Sequence, residues 1–173
     1  MTTILSTTNR PHSNTYKVAR EYLRHLEGHG EEVLLADLME LPEEVVRPDA
    51  YDHPGPAFRA WQERYLFPAD KFVFVLPEYN GSIPGILKLM IDTSDIKRAF
   101  RGKRALLVGV ATGRAGNLRG MDHMTAVLHH MKMTVHHNQL PISKVTDMMD
   151  AEGRFLAPTE RVVTAQIDEF TRS

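Results

Sequence analysis

The sequence contains no cysteine, almost no net charge and no long apolar run. Without cysteine, the 173 residues exclude disulfides, thiolate nucleophiles and cysteine-ligated zinc or iron–sulfur sites. A formal net charge of −1 gives no field to attract nucleic acid or an anionic membrane. The apolar run at 105–111 is far shorter than the roughly 20 residues that span a bilayer. The start of the chain lacks the basic and apolar regions of a signal peptide. We therefore predict a cytoplasmic protein with no membrane or nucleic-acid partner.

Several common catalytic patterns are also missing. There is no Walker loop, which disfavours a nucleotide triphosphate, and no Gly-x-Gly-x-x-Gly fingerprint of a dinucleotide fold. No Ser/His/Asp set suggests a hydrolase. The histidine pairs at 129–130 and 136–137 invite a metal hypothesis, but adjacent side chains on a helix or strand diverge. Because carboxylate and cysteine partners at ligand spacing are absent, we predict no metal site and interpret these histidines as surface or subunit-contact residues.

Strand and helix patterns alternate along the chain. The apolar spacing predicts strands at 2–5, 32–35, 71–76, 104–111 and 133–136, and helices at 13–29, 58–65, 84–93, 122–131 and 158–172, with residues 40–60 mainly loop. This alternation predicts an α/β fold with parallel strands and helices on both faces. Five strands in this length match the flavodoxin-like three-layer sandwich, with a five-stranded parallel sheet in the order 2-1-3-4-5. We predict one domain over residues 1–173.

The helix predicted at 84–93 is apolar on most sides. One face should cover the sheet, and the remainder is too apolar for a water-facing surface. We favour a homodimer or homotetramer formed through this helix. The alternative is a helix covered by the last helix and by residues 40–60.

The most informative segment follows the third predicted strand and reads Pro77-Glu78-Tyr79-Asn80-Gly81-Ser82-Ile83-Pro84-Gly85. Here a buried strand ends, a polar turn follows and a helix begins. In open α/β sheets, ligands bind outside the carboxyl ends of the strands. The turn offers backbone amides, one aromatic ring and amide or carboxylate groups, a combination that suits a flavin ring. The ring of Tyr79 either stacks on a ligand or packs against a neighbour.

The loop after the first predicted strand is rich in hydroxyl groups. Residues 6–15 read Ser-Thr-Thr-Asn-Arg-Pro-His-Ser-Asn-Thr. Hydroxyls, backbone amides and a helix N-terminus would donate to a phosphate monoester, and Arg10 would supply a charge. The alternative is a polar turn with Ser13 as an ordinary N-cap.

Together the two loops resemble the NADPH-dependent FMN reductase family of flavodoxin-like flavoproteins. The family pattern is roughly Gly-Ser/Thr-x-Arg-x-x-Ser-x-Asn in the first loop and Pro-Glu-Tyr-Asn in the second. The second match is long and specific, and the order of elements agrees over nearly the whole chain. Thr7 stands where many relatives have glycine. If the backbone there needs a positive φ or a close approach to phosphate, a β-branched residue would lower the affinity for FMN.

The resemblance implies one FMN per subunit. It implies Thr8, Arg10, Ser13, Asn14 and Thr15 around the phosphate, Pro77, Glu78, Tyr79, Asn80 and Gly81 along and above the isoalloxazine, and Thr112 and Gly113 near its other flank. The loop 112–117 is alternatively a tight turn whose glycines give clearance. Arg114 and Arg119 either attract the phosphates of NADPH or are solvated.

The resemblance further implies hydride transfer from NADPH or NADH to the flavin N5, then electron transfer to a small acceptor by ping-pong kinetics. The acceptor could be free flavin, a quinone, an azo compound or chromate. The cofactor performs the chemistry, so no catalytic side chain is assigned. One alternative is a flavodoxin-like electron carrier without direct NAD(P)H oxidation, although the near-neutral charge argues against it. Another is a domain without cofactor that serves as an interaction module.

Overall fold

The computed structural model describes residues 1–172. The strands are β1 (Thr2–Ser6), β2 (Val33–Asp37), β3 (Lys71–Pro77), β4 (Arg104–Val110), β5 (Thr134–Val135) and β6 (Leu140–Ile142). The helices are α1 (Asn14–Gly28), α2 (Pro56–Tyr65), α3 (Gly85–Thr93), α4 (Ile96–Ala99), α5 (Leu118–His130) and α6 (Ala157–Arg172), with 3₁₀ turns at Leu38–Glu40, Glu43–Val46 and Val145–Asp147. None of the helices in residues 1–172 has the length and apolar character needed to cross a bilayer.

The strands form one parallel sheet in the order β2-β1-β3-β4-β5, which confirms the predicted fold class. The register places Ile4 beside Val73 and Val75 beside Val108. The edge differs from the single strand predicted at 133–136. It is split into β5, which pairs with Arg104 and Ala105, and β6, which pairs with residues 108–110 of the same neighbour. The proline in the middle of β6 and the strand's short length hide it from a periodicity argument.

Two hydrophobic clusters occupy the two faces of the sheet. Side chains alternate along each strand, so Phe72 and Phe74 of β3 point to one face and Val73 and Val75 to the other. The first face is covered by α2, α3 and α5, and the second by α1 and α6. The result is the predicted three-layer arrangement.

The apolar surface of α3 is largely buried within its own chain. Leu87, Met90 and Ile91 belong to the first cluster, together with Val45 from the 3₁₀ turn at 43–46. The covering element is thus part of the 40–60 segment, as the alternative interpretation held, whereas α6 lies on the opposite face of the sheet. A second subunit is not needed to explain the composition of α3, and the oligomeric state stays a prediction.

Residues 40–60 are more ordered than the predicted loop. Pro56 occupies the first position of α2, where a missing amide is harmless. The carboxylate of Glu44 accepts a hydrogen bond from the amide of Phe58 at 2.9 Å and so caps α2 from a distance. A Cβ on Gly55 would lie 2.3 Å from this carboxylate, so a larger residue there would displace the Glu44 side chain from its capping position.

A buried carboxylate ties α1 to the segment that precedes α6. Glu21 is 3% exposed. It accepts hydrogen bonds from Arg24 at 3.1 Å and from the amide of Phe155 at 3.0 Å, and Arg154 lies 3.4 Å away. Burial alone would raise the pKa of Glu21, but the hydrogen bonds from Arg24 and Phe155 and the two arginine charges lower it below its usual value.

Candidate active site

The loops that follow β1, β3 and β4 meet in one cleft at the carboxyl ends of these strands. Its volume is about 320 Å³, within the roughly 300–1,000 Å³ of small-molecule pockets. The lining residues are Arg10, Pro11, His12, Ser13, Asn14, Thr15, Pro77, Glu78, Tyr79, Val110, Ala111, Thr112 and Val145. The cleft therefore lies where parallel α/β sheets bind ligands.

The first loop presents hydrogen-bond donors at the start of α1. Ser13 is the N-cap, and its hydroxyl oxygen accepts from the amide of Tyr16 at 3.1 Å, so the hydroxyl proton stays available to donate. The amides of Asn14 and Thr15 lie in the first helical turn and have no intrahelical acceptor. Arg10 forms no ion pair within residues 1–172. These groups suit an anion with several oxygens.

The second loop turns tightly at its tip. The amides and carbonyls of Tyr79 and Ser82 exchange two hydrogen bonds, of 3.0 and 3.1 Å. Between them, Asn80 and Gly81 have φ values of 52° and 74°. Positive φ at both central residues is the geometry for which Asn-Gly is the preferred pair. Pro77, Glu78 and Tyr79 line the cleft, whereas Asn80 and Gly81 at the tip are not among its lining residues.

A side-chain hydrogen bond joins the first and second loops. The hydroxyl oxygens of Thr8 and Tyr79 lie 2.7 Å apart, and the Thr8 oxygen also accepts from the amide of Arg10 at 3.2 Å. Thr8 is fully buried and does not line the cleft. The Thr8 hydroxyl therefore joins the first loop to the second. Tyr79 contacts Thr8 through its own hydroxyl and also lines the cleft.

The third loop owes its shape to a buried asparagine. Asn117 caps α5 in the left-handed conformation, with φ of 66°. Its Nδ2 donates to the carbonyl of Leu76 at 2.9 Å, and its Oδ1 accepts from the amide of Gly120 at 3.2 Å. Because of this cap, α5 begins at Leu118, four residues before the predicted helix start at Asp122.

Glycines in and before this loop give clearance. A Cβ on Gly109 would lie 2.0 Å from the carbonyl oxygen of Gly116, and one on Gly116 would lie 2.7 Å from Pro141. Gly109 and Gly116 therefore allow close packing of the backbone. This agrees with the alternative interpretation of the loop 112–117 as a tight turn whose glycines give clearance. Thr112 lines the cleft, whereas Gly113 lies outside the lining and accepts from the amide of Lys144 at 3.0 Å.

Eight of the twelve predicted site residues line the cleft: Arg10, Ser13, Asn14, Thr15, Pro77, Glu78, Tyr79 and Thr112. The remaining four are Thr8, Asn80, Gly81 and Gly113. Five lining residues were not predicted, of which Pro11 and His12 lie inside the first loop and Val110 and Ala111 at the end of β4. Val145 comes from the turn after β6, a strand that the sequence pattern did not indicate.

The substitution of glycine by Thr7 does not strain the backbone. Thr7 is absent from the positive-φ residues within 1–172. Its hydroxyl donates to the carbonyl of Val75 at 2.8 Å, and its amide donates to the same oxygen at 3.2 Å. The side chain is fully buried and is not among the residues that line the cleft. Thr7 therefore has no strained φ that would lower the affinity for FMN.

Fold and cleft together define a flavodoxin-like α/β protein with a polar cleft at the carboxyl ends of its parallel strands. Comparison with known proteins identifies the family. Residues 2–147 match the model of the NADPH-dependent FMN reductase family. The chain belongs to this family and is an NAD(P)H-dependent oxidoreductase that uses FMN.

Individual relatives agree with this assignment. An NAD(P)H-dependent FMN reductase of Pseudomonas aeruginosa is 31% identical over 142 residues, which cover 79% of this chain and 75% of that protein. A 2-hydroxy-1,4-benzoquinone reductase of a Burkholderia species is 24% identical over 115 residues, or 64% of this chain and 63% of the relative. The structure of FerB, a flavoenzyme NAD(P)H:(acceptor) oxidoreductase of Paracoccus denitrificans, superposes with a TM-score of 0.75 at 18% identity and covers 98% of this chain and 93% of FerB.

Proposed function

We propose that the cleft holds FMN with its phosphate at the start of α1 and its ring along the second loop. The observation that carries this proposal is the convergence of Arg10, the free first-turn amides of α1 and the Pro77–Tyr79 wall in one cleft. A phosphate monoester carries nearly two negative charges and needs such donors. The residues present therefore fit the cofactor.

The chain's own groups would orient the cofactor and tune its surroundings. Arg10, the hydroxyl of Ser13 and the amides of Asn14 and Thr15 bind and fix the phosphate. Bound FMN supplies the hydride-accepting chemistry. The segment of buried Pro77 and half-buried Glu78 and Tyr79 would cover one edge of the ring, and the hydrogen bond between Thr8 and Tyr79 would keep this wall at a fixed distance from the phosphate end.

The proposed phosphate site is tested by comparing the affinity of the chain for FMN with its affinity for riboflavin, which lacks the phosphate. The wild-type chain should bind FMN more tightly. Arg10→Ala should weaken FMN about 10- to 100-fold, as expected for losing a charge-assisted hydrogen bond worth about 1.5–3 kcal/mol, and leave riboflavin nearly unchanged. Fluorescence quenching of each flavin measures both affinities. Arg59→Ala is the matched control, because Arg59 is an exposed arginine that does not line the cleft.

An equal loss for FMN and riboflavin in Arg10→Ala would contradict the assignment of the phosphate to this end. So would an equal loss in Arg59→Ala. Unchanged FMN affinity in Arg10→Ala would place the phosphate elsewhere.

We further propose a quinone as the electron acceptor. The Burkholderia relative is named for a benzoquinone, and the cleft residues Glu78 and Tyr79 are only half-buried, so a second planar ring could approach them. Anaerobic addition of NADH or NADPH should bleach the bound flavin, and a benzoquinone should restore its absorbance. An electron carrier would stay yellow with either nucleotide, and a quinone that leaves the reduced flavin unchanged would exclude it as the acceptor.

The assembly and the location of the protein belong to the same proposal. We extend it to a homodimer or homotetramer of one FMN-binding domain over residues 1–173 in the cytoplasm. An apolar groove between α3 and α5, lined in part by Ile91, Ile96, Val127 and Met131, offers a surface for a second copy. Light scattering and cell fractionation measure these two properties.

A further inference from the structure

Two histidines and a glutamate, none of which lines the cleft, converge at the interrupted edge of the sheet. We call His136, His137 and Glu169 the edge cluster. Each offers one ligand atom, and these atoms all lie within 4.8 Å of one another. The Nε2 atoms of His136 and His137 lie 3.7 and 3.9 Å from the Oε2 atom of Glu169.

The break between β5 and β6 brings the two imidazoles together. In a regular strand, adjacent side chains point to opposite faces, which is why this pair was predicted not to chelate. The amide of His136 still donates to the carbonyl of Ala105 at 2.8 Å, but β5 ends at Val135 and the chain bends away. The ring centroids of His136 and His137 lie 4.5 Å apart. The argument that the pair diverges was therefore wrong, and α6 supplies the carboxylate that sequence spacing did not reveal.

One member of the edge cluster is buried without a partner. His136 is 8% exposed and packs edge-on against the ring of Phe170. Its Nε2 has no hydrogen-bond partner within residues 1–172, and Glu169 at 3.7 Å is too distant to be one. Buried polar atoms without a partner are rare because each loses its bond to water without replacement. An atom of this kind, close to a carboxylate and beside a second imidazole, is well placed to bind a cation.

We propose that the edge cluster binds a divalent transition-metal ion, for which Zn²⁺ is the best match. Two neutral imidazoles and one carboxylate are a common zinc ligand set. Zinc bonds of about 2.0–2.1 Å in a tetrahedron hold their ligand atoms roughly 3.3 Å apart, so the cluster needs to contract only modestly. The side chain of His137 is 85% exposed and free to rotate inward.

The surroundings support the carboxylate and leave a position open. Asn138 donates from Nδ2 to Oε2 of Glu169 at 2.8 Å and thereby orients it. Its own carbonyl is held by Gln166 of α6 at 2.7 Å. Water completes the tetrahedron on the exposed side. Because two ligands lie at the sheet edge and one on α6, the bound ion would lock the last helix onto the split strand.

The test uses the full chain without an affinity tag, titrated with Zn²⁺ in a competition assay with a coloured chelator. The wild-type chain should bind one ion per chain, and chelation with EDTA should lower the thermal midpoint. His137→Ala and Glu169→Gln should each weaken binding at least about tenfold, because even partners that only orient a metal ligand contribute 10- to 100-fold. Both positions are exposed, so the variants should keep the fold, and circular dichroism checks this.

The chain provides its own matched control. His129 and His130 are also adjacent and exposed, but lie on α5 outside any cluster of three ligands found in residues 1–172. The double variant His129→Ala/His130→Ala should bind zinc as the wild type does. Loss of binding in this control, unchanged binding in His137→Ala or Glu169→Gln, or failure of the wild type to bind one ion would each overturn the proposal.

Discussion

Asn117, the buried N-cap of α5, should contribute more to the free energy of unfolding than a typical loop residue. Replacing it with alanine removes the acceptor for the Gly120 amide, which is worth about 1 kcal/mol as an N-cap. It also removes the hydrogen bond from Nδ2 to the buried carbonyl of Leu76, worth roughly 1–1.5 kcal/mol, although that carbonyl stays within the pairing of β3 with β4. The left-handed backbone adds about 1 kcal/mol for a residue that, unlike asparagine, has no local hydrogen bond to offset it.

We therefore expect Asn117→Ala to lower the free energy of unfolding by about 3–3.5 kcal/mol, measured by urea titration with circular dichroism. Asn117→Gly loses the same hydrogen bonds but not the backbone strain. It should be more stable than the alanine variant by about 0.5–1 kcal/mol, since glycine's greater entropy loss offsets part of the relief.

Variants of Lys132 measure the effect of a left-handed backbone on stability without the loss of the Asn117 hydrogen bonds. Lys132 is an exposed residue with φ of 64°, so alanine and glycine at this position differ through the backbone alone. The difference between alanine and glycine should be similar at 117 and 132, while both variants at 117 lose about 2–2.5 kcal/mol more. If Asn117→Gly were as stable as Lys132→Gly, the two hydrogen bonds of Asn117 would contribute nothing and the reasoning would fail.

Two further predictions concern acid stability and the cleft wall. Because the pKa of Glu21 is lowered in the folded chain, its contribution is present above the unfolded value and disappears as the pH falls through the folded one. Glu21→Gln, which keeps the size but not the charge facing Arg24, should lower the free energy of unfolding by about 1–3 kcal/mol at neutral pH, and the urea midpoints of the two proteins should converge as the pH falls below the ordinary glutamate pKa of about 4.3 and through the lower folded pKa. A difference that stays constant with pH would show that the charge is irrelevant. Tyr79→Phe removes the hydroxyl bonded to Thr8 and should weaken FMN about 2- to 10-fold in a fluorescence titration, for a hydrogen bond of about 0.5–1.5 kcal/mol. Tyr51→Phe changes an exposed tyrosine and should leave the affinity unchanged; equal affinity in both variants would mean that the wall needs no such bond.

The sheet order and most of the cleft followed from local pattern, because buried parallel strands are continuous apolar runs and their carboxyl ends share one edge. The parts that did not follow depend on contacts between distant residues. Thr8 meets Tyr79 across 71 positions, and Asn117 reaches Leu76 across 41. The spacing of residues within one loop could not indicate that the side chains of Thr8 and Asn117 form hydrogen bonds to a different segment of the chain. The edge cluster was missed for a related reason, since Glu169 lies on a helix 32 residues beyond His137.

The interrupted edge strand also limits unwanted strand addition at this edge of the sheet. An uninterrupted edge presents a row of free amides and carbonyls on which another chain can build a sheet. Here β5 pairs over two residues and β6 over three, and residues 137–139 between them lie outside both strands. No stretch along this edge is long enough for stable strand addition. That protection matters for a protein with a net charge of only −1, because electrostatic repulsion between copies is weak. The irregularity therefore acts as a guard against aggregation.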